Sequence, residues 1–378
     1  MRKFLFTTFM LVPFLCMAQR EKFTQDNFKP SANVVEVVDN QITLDIDVII
    51  PPEFFGRNTI AEITPLFRWG RKEVAGRPIF LQGEMVDDSH RIVGYKLGVD
   101  DKLSIKLDYE LGMEEGKFLV NVKLSSAVNN RNKMQEVELP VRIDRSVLLV
   151  YETVKDAAFY TFKLENGGGG VANSQFYRAQ NIKNPSERMG ALDQALVYRP
   201  DDHRIVNNIA MCYLERGDVE MAEETLHRAL DLNPASPEVN ANLCLLALRR
   251  GDLNSASDFL SKSEGADNYN EAFGTLLLAR GQVPYAVGKL GEVNTNTAIL
   301  ACVLNQDYAM ARRKIDAIPV RNGMTYYLQG LMGVKTHNRE MVGLALDNLM
   351  MVDPRLYAKT RKDPEFENYS DLFKKAVW

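Results

Sequence analysis

The fold of this chain is decided by residues 203–263, which read HRIVNNIAMCYLERGDVEMAEETLHRALDLNPASPEVNANLCLLALRRGDLNSASDFLSKS. One pattern occurs twice there at a spacing of 34 residues, so that Gly217 recurs as Gly251 and Ala222 as Ala256. A fixed period in this range is typical of stacked helical repeats, because one helical hairpin cannot bury its apolar face alone. The same register pairs three further positions: Leu226 with Leu260, Asn208 with Asn242, and Ile209 with Leu243.

The residue types at these positions suit a pair of antiparallel helices. Ala210 and Ala222 are small at the point where the two helices must cross closely. Gly217 and Gly251 can take the left-handed conformation that ends the first helix of each hairpin. Pro234 closes the first unit, since proline cannot continue a helix. Each copy is therefore predicted to be a helical hairpin.

The unit resembles the tetratricopeptide repeat (TPR). The first copy matches the positions that define this family, with Val206, Ile209, Ala210, Tyr213, Gly217, Ala222, Leu226, Ala229 and Pro234. The second copy departs from the family pattern at Ala247 and Ser263 and lacks the closing proline. We therefore expect its second helix to be shorter or to end differently. The resemblance implies a solenoid that binds proteins or peptides on its concave face.

That implied face defines the predicted peptide-binding groove. Asn208 and Asn242 stand where the family often has asparagine, whose amide can hydrogen-bond a ligand backbone. A carboxylate clamp of the kind found in some repeats of this family would need lysine where Asn207 and Ala241 stand, so the clamp is predicted to be absent. The predicted groove comprises Arg204, Asn207, Asn208, Met211, Glu215, Glu238, Ala241, Asn242, Leu245 and Arg249.

The predicted groove offers a mixed surface of apolar and polar side chains. Such a surface suits an extended or helical peptide with apolar anchors. Packing of Met211 and Leu245 against the neighbouring turn is an equally good interpretation, since apolar residues are common on any protein surface.

The first residues are typical of a secretory signal. Arg2-Lys3 precedes an apolar run from Phe4 to Leu15, and small residues follow around Ala18. This pattern predicts a signal peptide over residues 1–18, too short to anchor the chain permanently in a bilayer. We therefore expect an exported, periplasmic protein, with association with the outer membrane as an option. Lipidation at Cys16 is a minor alternative.

Composition excludes several classes of function. The 378 residues are 46% hydrophobic and 25% charged, which is ordinary for a globular protein and sufficient for two domains. Without residues 1–18 the chain has 44 basic and 50 acidic residues, so no nucleic-acid partner is predicted. No transmembrane segment is predicted after signal removal.

Cys212, Cys244 and Cys302 lie in helical patterns as small apolar residues. Pairing of Cys212 with Cys244 stays open, because disulfide geometry is strict.

The first half of the chain alternates between apolar and polar residues. After a lead-in segment, 19–33, the pattern from Val34 onward predicts short strands separated by turns such as Asp39-Asn40. An antiparallel β-sandwich is expected over residues 34–160, with a closed barrel as the alternative. The strand candidates are Val34–Val38, Gln41–Ile50, Ala61–Trp69, Ile79–Met85, Arg91–Leu97, Lys102–Leu107, Lys117–Ala127 and Gln135–Ile143.

Four consecutive glycines, 167–170, interrupt the chain between its two halves. They predict a Gly-rich linker over residues 161–172. A phosphate-binding loop is excluded, because no Lys-Ser/Thr pair follows. The rest, residues 173–378, is predicted to be a TPR-like helical domain of about six units that ends in a capping helix. The fold class is thus α+β multidomain: an antiparallel β-sandwich followed by an all-α solenoid.

No pattern in the sequence indicates catalysis. His90, His203, His227 and His337 are scattered, and no Gly-x-Ser-x-Gly elbow occurs. We predict no catalytic residues, no metal and no cofactor. The expected function is a non-enzymatic exported scaffold or adaptor that binds protein or peptide partners in cell-envelope assembly. The alternative is an envelope glycan-binding module that uses the β-domain, with Trp69 as a stacking platform.

Overall fold

The structure is a computed structural model that describes residues 28–38, 41–50, 59–98, 101–107, 111–126, 133–139, 143–165 and 169–374. The predicted signal peptide, 1–18, with Cys16, lies outside the described residues, as do residues 19–27 of the lead-in segment, the turn at Asp39-Asn40 and the first two residues of the glycine run.

Antiparallel strands make up the N-terminal part. Their bounds are β1 (Phe28–Val38), β2 (Gln41–Val48), β3 (Thr59–Trp69), β4 (Lys72–Ala75), β5 (Ile79–Phe80), β6 (Gly83–Val86), β7 (Ile92–Lys96), β8 (Leu103–Lys106), β9 (Lys117–Ser126) and β10 (Lys133–Leu139). They form sheets of order β1-β2-β8, β10-β9-β3-β4 with β5 on β3, and β6-β7. These sheets are small and open, so they confirm an antiparallel β-region, while the sandwich prediction goes further than the described strands.

Several strands differ from the prediction. Strand β1 begins at Phe28, within the predicted lead-in segment, and not at Val34. The candidate Ile79–Met85 divides into the short strands β5 and β6. The sequence analysis missed β4, which pairs with β3 through a tight hairpin in which Trp69 lies opposite Lys72. Gly70 adopts a φ of 54° in this turn, a conformation that glycine takes without steric cost.

A helix that the sequence analysis did not predict follows the β-region. This helix, α1 (Arg145–Val154), begins at Asp144, whose side chain accepts a hydrogen bond from the Ser146 N–H. Leu148, Leu149 and Val154 are buried. The helix contacts the first helices of three later hairpins, so it packs on the repeats although it lies inside the range predicted as the β-domain.

Helical hairpins make up the C-terminal part. The helices are α2 (Val171–Ala179), α3 (Pro185–Tyr198), α4 (His203–Arg216), α5 (Val219–Leu232), α6 (Pro237–Arg250), α7 (Leu253–Leu260), α8 (Tyr269–Ala279), α9 (Val283–Lys289), α10 (Asn296–Leu304), α11 (Tyr308–Ala317), α12 (Gly323–Lys335), α13 (Arg339–Val352) and α14 (Pro354–Thr360). In residues 169–374, the helices α2 to α13 pair in sequence as six hairpins. The first helices of the last four hairpins, α6, α8, α10 and α12, stack on one another.

The local features of the TPR-like unit agree with its sequence. Gly217 and Gly251 take φ values of 85° and 78° at the ends of α4 and α6. The Asp218 N–H donates to the Tyr213 carbonyl, which completes the turn after α4. The second helix of the second copy, α7, has 8 residues against 14 in α5, so the predicted shortening is confirmed.

The two parts share one apolar core. Buried side chains of β3 and β8 belong to the same cluster as those of α10, α12 and α13. At the C-terminus a 3-10 helix, Pro364–Leu372, places the buried Phe366 against the last hairpin, where its ring lies beside Gly330. No helix within the described ranges is long and apolar enough to cross a bilayer.

Candidate functional site

The inner face of the repeats, formed by the first helices of the hairpins, holds a segment of the same chain. After α1 ends, residues 157–164 run across this face without helical structure. We call this segment the strap. It includes residues 161–164 of the predicted linker, and α2 begins shortly after it.

Side-chain amides of two inner helices bind the strap through its backbone. Asn208 Oδ1 accepts the Phe162 N–H at 2.9 Å, and Asn208 Nδ2 donates to the Phe162 carbonyl at 2.8 Å. Asn242 binds Tyr160 in the same way, at 2.7 Å and 2.9 Å. Each amide therefore satisfies both polar groups of one strap residue, as a neighbouring β-strand would.

A third amide and a supporting asparagine extend this arrangement. Gln180, which follows α2, binds Leu164 with distances of 3.1 Å to its N–H and 3.3 Å to its carbonyl. Asn207 donates to the Tyr160 carbonyl at 3.1 Å and accepts from Asn242 at 2.8 Å, so it also orients the Asn242 amide. The bound residues are 160, 162 and 164, and this period of two is that of an extended strand.

A buried carboxyl group lies at the start of the strap. Glu271 on α8 accepts a hydrogen bond from the Thr295 hydroxyl at 2.9 Å, and its interaction with the Ala158 backbone places it beside the strap. Burial raises the pKa of Glu271 to about 7, although the interactions with Thr295, the Ala158 backbone and Lys314 oppose the rise. The group therefore changes its charge near neutral pH while it contacts the strap.

The residue before the strap is bound by two further amides. The Asp156 carboxylate accepts from Asn296 Nδ2 at 3.0 Å and from Asn322 Nδ2 at 2.9 Å. Asn296 begins α10 and Asn322 caps α12. Polar side chains from the end of α2 to the start of α12 thus hold one continuous stretch of chain.

Aromatic side chains anchor the strap between these amides. The Tyr160 and Phe162 rings meet edge to face at 5.1 Å, and Phe162 meets His203 at 5.5 Å. Phe159 packs against the clusters built by α4 to α8. Apolar contacts and backbone hydrogen bonds therefore act together.

The structure places the ten predicted groove residues in three settings. Asn207, Asn208 and Asn242 bind the strap. Ala241 and Leu245 are fully buried, so their side chains are part of the core between the helices.

The remaining five predicted residues lie elsewhere on the inner helices α4 and α6. Arg204 pairs with Asp202, the cap of α4, with Nη2 at 2.8 Å from the carboxylate. Glu238 accepts the Ser236 hydroxyl at 3.0 Å at the start of α6. Met211, Glu215 and Arg249 line a cavity beside the strap.

Sequence reasoning missed Gln180, Glu271, Asn296 and Asn322. The 34-residue register did not point to them, because the later hairpins are shortened and Gln180 follows the end of its helix. A polar residue near the start of each inner helix, as at Asn296, is the signal that could have found them.

The structure also shows the surroundings of the three cysteines and of Trp69. Cys212, Cys244 and Cys302 are free and buried. Burial raises the pKa of the Cys244 thiol to about 12. The described residues contain no group of three side chains placed to hold a metal ion. Trp69 packs on Phe67 with ring centres 5.4 Å apart, and the Lys72 ammonium lies 5.8 Å from its ring.

Comparisons with known proteins bear on the helical part. No family model matches the chain, and no curated protein is similar to it in sequence. It is similar in structure to PilF of Pseudomonas aeruginosa, with 13% identity over 53% of this chain and 97% of that chain, and a TM-score of 0.40. It is also similar to PilW, described as a type IV pilus biogenesis factor, with 16% identity, coverage of 53% and 99%, and a TM-score of 0.40.

A third similar structure is a tetratricopeptide repeat protein from Parabacteroides merdae, with 16% identity, coverage of 53% and 82%, and a TM-score of 0.39. Because all three TM-scores are below 0.5, these similarities by themselves carry no conclusion about function. The helical part of the chain is TPR-like on the strength of its own hairpins, their 34-residue register and their glycine turns.

Proposed function

We propose that this chain is a non-enzymatic, exported scaffold that holds protein partners in the periplasm and serves cell-envelope assembly. The observation that carries the proposal is the inner face itself, where side-chain amides hold an extended segment of the same chain and a cavity of about 330 Å³ remains beside that segment. This arrangement recognises an extended polypeptide by its backbone. The export part of the proposal rests on the signal pattern in residues 1–18, and association with the outer membrane remains an option.

In this proposal the β-region sets the orientation of the repeats. Arg145 of α1 supports this role, since it binds Glu114 of the β-region at 3.2 Å and also Asp363 near the C-terminus. We also infer that the sheets stack as a β-sandwich, since buried side chains of β3 and β8 share one core.

The glycan-binding alternative would need an open aromatic face on the β-region. Trp69 instead packs on Phe67, with Lys72 over its ring. The proposal therefore keeps to protein partners.

The test is crosslinking in living cells with a photoreactive amino acid. Asn207 and Leu245 are fully buried, so the probe replaces the exposed Glu215 or Lys163, which lie at the inner face. The control is the exposed Glu224 of α5. We expect one protein to be captured from both inner positions and not from the control. Equal capture at all three positions, or none at any, would overturn the proposal.

A further inference from the structure

The strap has a second edge, and the hydrogen bonds leave it open. Successive residues of an extended strand direct their N–H and carbonyl groups to opposite edges. Tyr160, Phe162 and Leu164 direct theirs to the side-chain amides. The backbone groups of Thr161 and Lys163 have no hydrogen-bond partner in the part of the chain that the structure describes.

A cavity lies beside this open edge. Its volume is about 330 Å³, and Thr161 and Phe159 of the strap form part of its lining. Met211 and Leu214 of α4 contribute apolar surface, and Arg249 of α6 contributes a cation. The strap thus forms one wall of the remaining space in the groove.

Arg249 is the charged group in this cavity without a direct partner. Within the described residues its guanidinium makes no direct hydrogen bond and no ion pair within 4 Å, although it is partly buried and is attracted by the more distant charges of Asp156 and Glu220. The other charges there are paired: Lys155 lies 3.0 Å from Glu152, and Glu215 pairs with Arg188. A partly buried guanidinium with unused donors is a good partner for a carboxylate.

We propose that the open edge of the strap is the docking edge for a partner, which adds an extended segment as a second strand and presents a carboxylate to Arg249. The proposal rests on the proposed function and names the kind of partner. Backbone hydrogen bonds to Thr161 and Lys163 supply affinity, and the carboxylate supplies selectivity. Apolar side chains at alternate positions of the segment contact Met211 and Leu214.

Addition to the strap is favoured over replacement of the strap. Replacement would break the hydrogen bonds between the side-chain amides and the backbone of Tyr160, Phe162 and Leu164. It would also expose the aromatic side chains that anchor the strap. Short connections tie the strap to α1 on one side and α2 on the other. A ligand tethered in this way has an effective concentration of about millimolar or higher, which a free competitor must overcome.

The probe for this proposal is a phage-displayed library of random linear dodecapeptides, selected on the purified full-length chain. Enriched peptides are synthesised, and their binding is followed by residue-resolved hydrogen exchange. We expect enrichment of Asp or Glu, and new protection of the Thr161 and Lys163 amides on binding. The Tyr160, Phe162 and Leu164 amides should stay protected throughout.

Substitutions distinguish the contribution of the strap backbone at Thr161 from that of the Arg249 side chain. Thr161→Pro removes one donor from the open edge, and we expect binding about tenfold weaker. Thr161→Ala keeps that donor and should change binding less than about twofold. Arg249→Gln should remove the preference for acidic peptides. Continued protection of the Phe162 amide in Thr161→Pro shows that the strap is still in place.

Several results would overturn the proposal. These are the absence of any enriched peptide, loss of protection at Phe162 when a peptide binds, and protection of Thr161 that grows with protein concentration alone. The second indicates exchange of the strap, and the third indicates a second copy of the chain as the occupant. If a partner is captured in cells while Thr161 stays unprotected, the scaffold function stands and the edge proposal fails.

Discussion

Asn208 satisfies both backbone groups of Phe162, with distances of 2.9 Å to the N–H and 2.8 Å to the carbonyl oxygen. A side chain of α4 thus takes the place of a neighbouring strand. Asn242 likewise hydrogen-bonds both the N–H and the carbonyl of Tyr160. The two asparagines therefore fix which residues of the strap face the helices.

Replacement of Asn208 by alanine should destabilise the protein. The variant loses both hydrogen bonds and leaves polar groups of the partly buried Phe162 without partners. We expect the free energy of unfolding to fall by about 2–3 kcal/mol, measured by urea denaturation. Asn181→Ala is the control, because that exposed amide bonds only within its own turn, and its effect should stay within about 0.5 kcal/mol. Equal effects would contradict the role given to Asn208.

Glu271 should make stability depend on pH. Its pKa is about 7 in the folded state against 4.5 for the ordinary group. The folded state therefore binds more protons between these values, so the stabilisation is complete below about pH 4.5 and is lost as the pH rises through about 7. Relative to Glu271→Gln, the wild type should lose about 2.5 kcal/mol of unfolding free energy from pH 5 to pH 8. A difference between wild type and Glu271→Gln that does not change with pH would refute this assignment.

The repeat architecture could be predicted from particular residues. Gly217 and Gly251 mark helix ends because their conformation favours glycine, and Ala210 and Ala222 mark the helix crossing because larger side chains do not fit there. These are local requirements that a short stretch of sequence displays. The antiparallel strands were predictable for the same reason, from alternation over a few residues.

The strap and α1 were not predictable in this way. The apolar run Val147–Tyr151 in α1 is short and follows a series of strands, and a run of this length is equally typical of a buried strand. The strap stands next to four glycines, which indicated a linker. Its position depends on contacts with Asn208 and Asn242, which lie 46 and 82 residues away in the chain. Asn208 and Asn242 were predicted to bind a backbone, but that prediction could not say whose backbone it is.

The junction between the β-region and the last repeat depends on Arg145. The Asp363 side chain is only 6% exposed and binds both Arg145 and Tyr327. Arg145→Met leaves this carboxylate buried without its cation, and we expect a loss of about 3–5 kcal/mol in thermal or urea unfolding. The double variant with Asp363→Asn should lose less than the sum of the two single variants.

The matched control for this network is an exposed ion pair. Arg339 and Asp371 are 53% and 62% exposed, so Arg339→Met should change stability by less than about 1 kcal/mol. Strict additivity at Arg145 and Asp363 would show that the junction does not act as a unit.

Two helical glycines should respond in opposite ways to alanine. A Cβ at Gly274 would lie 2.3 Å from Leu290 Cγ, so Gly274→Ala should reduce the free energy of unfolding by about 1–3 kcal/mol. A Cβ at Gly190 meets nothing within 4 Å, so Gly190→Ala should raise it by up to about 1 kcal/mol through helix propensity. Stabilisation by both variants would mean that α8 and α9 do not approach as closely as described.

Residue-resolved hydrogen exchange of the free protein tests the central claim most directly. The account predicts slow exchange at the Tyr160, Phe162 and Leu164 amides, which bind side chains of the repeats, and fast exchange at Thr161 and Lys163 between them. Uniformly fast exchange over all five amides would contradict it, because the strap would then not be held in the groove.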